Sequence, residues 1–273
     1  MRRVAPLLLF ALLSKADEPL SFQLVPRATL EEWIARAPMA NADRLQSVRQ
    51  LFEAAGCGPE LTEQRVKGSK LPNLICRLPG EPGAATIVIG AHFDKVKPGQ
   101  GVIDNWTGSV LLPALYKTLA PAKRRHTFLF VSFTDEEVGL VGSRFFAKQI
   151  PKADLANYRF MVNLDSLGAG ETNVWASHAH PRLLQVAHGI AQSKSLPLTG
   201  INLGQVGRGD SDSFTGRKIP AIDFHSLTQE NYQLLHSERD APEAFRPDAY
   251  WSSYRFLTGF IGYLDRYVDG PLP

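Results

Sequence analysis

HTFLFVSFTDEEVG, running from His126 to Gly139, is the stretch whose reading decides the fold. Its first eight residues, His126 to Phe133, are almost all apolar or β-compatible. The run is too short and too rich in aromatic and β-branched side chains for a buried helix. It reads as a strand covered on both faces, the pattern of a central parallel strand. Asp135, Glu136 and Glu137 follow at once. Open α/β sheets put their sites at the carboxyl ends of strands. Acids gathered there need a positive partner. The chain offers two more acid and histidine clusters at similar strand ends and no matching run of arginine, so a metal ion is the simplest partner. Taken alone, the acidic triplet also suits a helix N-terminus stabilised by the macrodipole.

The rest of the chain alternates strand and helix around that stretch. Strands are expected over 61–67, 73–78, 85–91, 126–133, 158–164, 173–177 and 219–224. Helices are expected over 29–37, 42–55, 105–119, 141–149, 181–193 and 247–268. The first opens on the capping-box pattern Thr29-Leu-Glu-Glu32 and is broken by Pro38. The second stops at Gly56, and the fifth has Pro181 in its first turn. In the last helix Tyr250, Tyr254, Leu257, Ile261, Leu264 and Val268 recur at helical spacing. This is an α/β chain: a single domain with a mixed, mostly parallel central sheet and helices on both faces. No repeat, low-complexity tract or linker divides it, and 273 residues at 44% hydrophobic composition suit one large core.

Charge is uninformative once the N-terminus is set apart. Residues 1–16 hold Arg2, Arg3 and Lys15 and no acid, and they account for the whole formal charge of +3. A basic start, an apolar run from Val4 to Leu13 and the small residues Ser14 and Ala16 have the form of a secretory leader. The expected organisation is a signal peptide over 1–16 and one domain over 17–273, with a helical N-terminal part over 17–60. The balanced remainder gives no reason to expect nucleic acid as a partner. No other apolar run is long enough to span a membrane, so no stable insertion is expected after leader cleavage, and the location is secreted or periplasmic. Cys57 and Cys76 lack metal or redox spacing; they form either one bridge or two unpaired thiols with Cys76 buried.

Five residues are candidate metal ligands: His92, Asp104, Glu137, Asp165 and His236. Each alone reads more simply as a turn or cap residue. Together, two imidazoles and three carboxylates suit Zn²⁺. Five ligands exceed what one tetrahedral zinc needs, and Glu136 adds another carboxylate, so two metals sharing a bridging group are expected. In an adjacent Glu-Glu pair the side chains diverge, so one can bind metal while the other faces a reacting water.

Ala91-His-Phe-Asp94, then Gly101-Val-Ile-Asp-Asn-Trp-Thr-Gly108, then DEEVGLVGS from Asp135, NLDSLG from Asn163 and LLHSERD from Leu234 together resemble the dizinc exopeptidases, peptidase family twenty-eight of the metallo class. That family includes secreted aminopeptidases, glutamate carboxypeptidases and glutaminyl cyclases. The resemblance covers the chain from about Ala85 to the C-terminus and makes 85–273 the catalytic core, with a zinc-exopeptidase, phosphorylase/hydrolase-like fold. It implies two zincs, one on His92 and Asp165, the other on Glu137 and His236, with Asp104 bridging. It implies Glu136 as general base and Asp94 as the acid that fixes the His92 ring. It also implies a cis peptide between Asp104 and Asn105, and Tyr232 lining the substrate pocket.

One segment departs from the family pattern. In Arg208-Gly-Asp-Ser-Asp-Ser-Phe214, aligned on Phe214 and Ile219-Pro220, Asp210 matches the family aspartate, while Gly209, Ser211 and Lys218 replace a serine, a histidine and a glycine. Arg208 falls where some aminopeptidases have an arginine near the substrate's α-amino end. Arg208 and Asp210 are therefore candidate substrate-binding residues, with a polar surface loop as the plain alternative. Asn105-Trp-Thr107 is a formal glycosylation sequon beside the bridging ligand and is not expected to carry a glycan.

Three functions compete. The first is a secreted zinc aminopeptidase acting on the N-terminal residues of peptides. The second is a glutaminyl-peptide cyclotransferase with one catalytic zinc; its relatives tend to have Asp-Ser where this chain has Asp104-Asn105. The third is a non-catalytic ectodomain, which usually loses ligands; here all five are present.

Overall fold

The computed structural model describes residues 21–204 and 207–268. The leader expected over 1–16 lies outside them. Two helices come first, α1 (Arg27–Ala35) and α2 (Asn41–Ala54), followed by strands β1 (Leu61–Gln64), β2 (Asn73–Leu78) and β3 (Thr86–His92). Then come α3 (Thr107–Leu119), β4 (Thr127–Phe133), α4 (Val141–Gln149) and β5 (Tyr158–Leu164). The chain continues through β6 (Asn173–Val174), α5 (Pro181–Ser193), β7 (Thr199–Gly200), α6 (Asp212–Thr215), β8 (Ala221–His225) and α7 (Pro247–Tyr267).

The eight strands form one sheet in the order β1-β2-β4-β3-β5-β8-β6-β7. The four central strands β4, β3, β5 and β8 are mutually parallel, and β1, β2 and β6 pair antiparallel toward the edges. Period-2 alternation explains why both faces need covering. Ile87, Ile89, Phe128 and Phe130 enter the larger core with α1, α2, α3, α5 and α7, whereas Val88, Val131, Phe133 and Met161 enter the smaller core beneath α4 and α6. The stretch from Thr127 to Phe133 is the central strand its composition demands, next to β3 in the middle of the sheet.

Several boundaries differ from the pattern reading, each for a physical reason. The capping box at Thr29 is not used: α1 starts at Arg27, and the Pro26 carbonyl accepts the N–H groups of Thr29 and Leu30. Arg27, the first residue of that earlier start, is ion-paired to Glu31 and Asp248. β1 stops at Gln64, where its register with Asn73 ends and a turn through Val66 and Ser69 begins. β6 has two residues rather than five because the N–H groups of His178 and Ala179 fold back onto the Trp175 carbonyl, stacking the Trp175 and His178 rings 4.2 Å apart. The brief β7 and α6 carry too few residues to leave a periodic signal. Of the two possibilities for the cysteines, Cys57 and Cys76 are disulfide-bonded, joining the end of α2 to β2.

Candidate metal centre

The site forms where the parallel strands end. His92 is the last residue of β3 and Asp165 the first after β5, so adjacent strands bring the two side by side. Asp104 arrives from the irregular turn Val102–Trp106 ahead of α3. Its peptide bond to Asn105 is cis, as is Lys97–Pro98. Asp240 holds this turn from below, its carboxylate accepting the N–H groups of Ile103 (2.7 Å) and Asp104 (3.1 Å). Asn105 fixes the other side. Its amide nitrogen donates to the Leu164 carbonyl (2.9 Å), and its amide oxygen accepts the N–H groups of Gly108 (3.0 Å) and Ser166 (3.3 Å). A Cβ at Gly108 would lie 2.4 Å from both the Asn105 amide oxygen and the Leu164 carbonyl, so only glycine lets α3 begin there.

The five candidate ligands converge into two overlapping groups that share Asp104. In one, His92 Nε2 lies 3.2 Å from Asp104 Oδ1 and 3.6 Å from Asp165 Oδ1. In the other, His236 Nε2 lies 3.3 Å from Asp104 Oδ2 and 2.8 Å from Glu137 Oε2. Within each group one donor atom per residue fits inside 4.8 Å. Glu136 belongs to neither group and faces the adjoining pocket.

Asp94 is present with a broader task than orienting His92. The His92 ring meets the Asp94 backbone carbonyl from Nδ1 at 3.1 Å, with the carboxylate 3.6 Å away. A proton held on Nδ1 leaves the Nε2 lone pair facing Asp104 and Asp165. The Asp94 carboxylate itself accepts the N–H groups of Glu136 (3.0 Å) and Glu137 (3.2 Å), fixing the turn that separates those two side chains.

Charge balance tests whether a metal fits. Burial pushes Glu136 up to about 10 and Glu137 up to about 7, with the neighbouring carboxylates adding to both shifts. His236 is raised to about 9, chiefly by its hydrogen bond to Asp104. For His92, burial would lower the pKa, but the charge of Glu136 and hydrogen bonds to Asp104, Asp165 and Asp94 overcome it and raise the pKa well above its ordinary value. Burial likewise opposes ionisation of Asp104, and the two histidines outweigh it and hold its carboxyl below the usual range. Glu136, Glu137 and the two imidazoles are thus driven to hold protons around the ionised, shared Asp104, as expected for lone pairs converging on a centre where cationic charge belongs. Glu137 Oε1 is in addition buried without a hydrogen-bond partner. The donor set, two imidazoles and three carboxylates with one carboxylate shared, fits one or two borderline divalent cations.

Beside the cluster opens a cavity of about 490 Å³. Arg208 and Tyr232 both line it. Asp210 does not: it is fully buried behind Gly209, and burial raises it to about 7. The pattern reading missed Asn163 and Asp223, which line the cavity, and Asp240 and Arg44, which support the turn that carries Asp104. Arg44 is fully buried and donates to the carbonyls of Pro38, Phe93, Gln100 and Gly101, clasping the loop between His92 and Asp104. The one local oddity is Arg44, a charged residue four positions before Val48 on the apolar face of α2, and nothing in the sequence says which carbonyls it meets.

The sequence pattern of peptidase family M28 matches residues 73–261. Leupeptin-inactivating enzyme 1 of Streptomyces exfoliatus is 29% identical over 175 residues, covering 63% of this chain and 40% of that enzyme. The structure of BSAP, a zinc aminopeptidase from Bacillus subtilis, superposes with a TM-score of 0.66 at 18% identity, covering 73% of this chain and 51% of that one. The glutaminyl cyclase of an Acidobacteriales bacterium superposes with a TM-score of 0.76 at 15% identity, covering 93% of this chain and 99% of that one. The chain spans about two fifths of the Streptomyces enzyme and half of the Bacillus one, and the two structural likenesses carry the fold alone.

Proposed function

The chain belongs to peptidase family M28, and on that premise we propose that it is a zinc-dependent aminopeptidase that removes N-terminal residues from peptides. The observation that carries this reading is the shared carboxylate of Asp104 between two ligand groups, with Glu136 outside both and facing the open cavity. His92, Asp104 and Asp165 would hold one zinc, and Asp104, Glu137 and His236 a second. When bound, zinc supplies Lewis-acid polarisation of the scissile carbonyl and acidifies water. The chain's own residues do the rest. Glu136, whose carboxyl would be ionised once cationic charge fills the two ligand groups, takes the proton of the attacking water and delivers it to the leaving amine, so it ends each turnover in the state in which it began. Asp94 keeps Glu136 aimed by holding its backbone N–H. Asp104 and Asp165 keep their relative positions through the single Asn105 amide that joins their segments.

The Cys57–Cys76 disulfide supports passage through an oxidising compartment, in line with a secreted or periplasmic protein made with a cleaved leader. Among the described residues no helix is long and apolar enough to cross a membrane. The test is direct. Purified protein should hydrolyse aminoacyl-p-nitroanilides, lose that activity to a chelator, regain it with zinc and bind two zincs per chain. Failure on every aminoacyl anilide with zinc in place would remove the aminopeptidase reading.

The second reading is a glutaminyl-peptide cyclotransferase with one catalytic zinc, a function hosted on the same fold by the solved cyclase, which this chain matches over 99% of its length. Release of ammonia from an N-terminal glutaminyl peptide, with one zinc per chain, would select it.

A further inference from the structure

The floor of the cavity is made by two polar side chains that no step above uses. Asn163 on β5 and Asp223 on β8 stand opposite each other in register, and both line the cavity although they are almost completely buried. The Asn163 amide donates to Asp223 Oδ1 (3.1 Å), and the Ser211 hydroxyl donates to Asp223 Oδ2 (2.7 Å). Asn163 Oδ1 is buried with no partner. The floor therefore offers an unused amide oxygen and the remaining lone pairs of a carboxylate, an array of acceptors. The charges that bear on Asp223 belong to Asp165 and Asp212, both negative, and burial holds its carboxyl up at about 7. His225 beside it brings no positive charge: its Nδ1 accepts the Leu227 N–H (3.0 Å), and burial lowers its pKa to about 4.

Gly209 keeps this floor open. A Cβ there would sit 3.2 Å from the Asn163 amide nitrogen and 3.3 Å from Asp223 Oδ1, crowding both head groups. Above the floor, Trp175, Leu203, Leu227, Tyr232 and Leu235 give the cavity an apolar wall, and Arg144 and Arg208 also line it, Arg208 ion-paired to Asp212 at 3.4 Å. An apolar sleeve ending in acceptors matches a side chain with a methylene stem and a cationic tip. Strand spacing sets the reach. Asn163 lies in β5 two residues before Asp165, which follows the end of the strand, so the rise of an extended chain separates them by about 6–7 Å. A substrate α-ammonium sits too close to the scissile carbonyl to span that gap, whereas an extended lysyl or arginyl side chain does span it.

We propose that Asn163 and Asp223 are the specificity determinants of the cavity, selecting peptides whose first residue is lysine or arginine. This inference rests on the aminopeptidase reading. The experiment compares lysyl- and norleucyl-p-nitroanilide, which share a four-carbon side-chain stem and differ in the ammonium. In the wild-type enzyme kcat/KM for lysyl should exceed norleucyl at least tenfold. In Asp223→Asn that ratio should fall to about one. The ratio is internal to each protein, so a change in overall activity cancels. Gly209→Ala, which sets a methyl group against both head groups, should cut the ratio at least threefold and keeps the test open if Asp223→Asn does not fold. A wild-type enzyme that cleaves norleucyl as well as lysyl overturns the inference and leaves the aminopeptidase reading intact. Equal loss on both substrates in Asp223→Asn assigns Asp223 a structural role and also overturns it. No cleavage of any aminoacyl anilide overturns the underlying reading, and the inference with it.

Discussion

Replacing Glu136 by glutamine isolates the proton-transfer step from the metal centre. Glutamine has nearly the same volume, so the cavity wall keeps its shape. The backbone N–H of residue 136 still meets Asp94 Oδ1, at 3.0 Å in the native protein, so the turn that orients Glu137 stays in place. Residue 136 contributes to neither ligand group, and metal content should remain full. What is lost is one proton acceptor. General acid–base catalysis contributes about 10²–10⁴-fold, which corresponds to about 3–5 kcal/mol on the activation barrier. The kcat should fall by at least that factor, with KM little changed unless Glu136 also holds the substrate's α-ammonium. Thermal stability should not fall, because burial and the nearby Asp210, Asp165 and Asp104 outweigh the attraction of His92 in disfavouring the Glu136 charge. Glu137→Gln supplies the contrast: it removes the charge of a ligand 2.8 Å from His236 Nε2, so zinc should be lost first and activity as a consequence. The assay is zinc per chain by mass spectrometry beside steady-state kinetics on one anilide. If zinc drops in the Glu136 variant and stays full in the Glu137 variant, the two glutamates have been assigned the wrong way round.

Three further outcomes are expected. Arg44→Met leaves the carbonyls of Phe93, Gln100 and Gly101 without their buried donor and should cost about 3–5 kcal/mol in urea unfolding; a cost under 1 kcal/mol would mean that the clasp is dispensable. Removing the Cys57–Cys76 bridge by a double alanine substitution reopens a loop with a sequence separation of 19 and should cost about 3 kcal/mol, visible as a lowered thermal midpoint that reductant lowers no further. Asp223, an acid raised by burial from 3.8 to about 7 in the folded protein, ionises first in the unfolded chain, so its contribution to stability is lost as pH rises from about 4 to 7. Asp223→Asn should therefore gain up to roughly 4 kcal/mol on the wild type between pH 4 and pH 8, and urea midpoints that track each other at both pH values would refute the shift.

The parts of the molecule legible in the sequence are those whose physics is local. A buried parallel strand has to be apolar on both faces, so 126–133 reads directly, and β2, α4, β5 and α5 keep the boundaries their periodicity implies. The ligand candidates were legible because three of them, His92, Glu137 and Asp165, fall at or just after strand ends, where a parallel sheet collects its loops. The supporting residues were not, because each is defined by a distant partner. Asp240 serves a turn 136 and 137 residues earlier, Arg44 reaches carbonyls about 50 residues away, and Asp223 meets Asn163 across 60 residues. Asp210 looked like a pocket residue by its place in the motif. Its neighbour Gly209 reaches the cavity instead, and nothing in the spacing says which of two adjacent residues faces in.

Asn105 has a consequence for making the protein. It lies in the sequon Asn105-Trp-Thr107, yet it is fully buried, with its amide nitrogen on the Leu164 carbonyl and its oxygen shared by the Gly108 and Ser166 N–H groups. A host that attaches sugars to nascent chains can reach that nitrogen only before the fold closes. A sugar on that nitrogen needs room that the packing around Leu164 and the Gly108 turn does not have, so a chain caught early cannot complete the link between the Asp104 and Asp165 segments. Expression in such a host would divide the product into unmodified folded molecules and modified ones arrested short of a working centre, whereas a host without that pathway would give a single population.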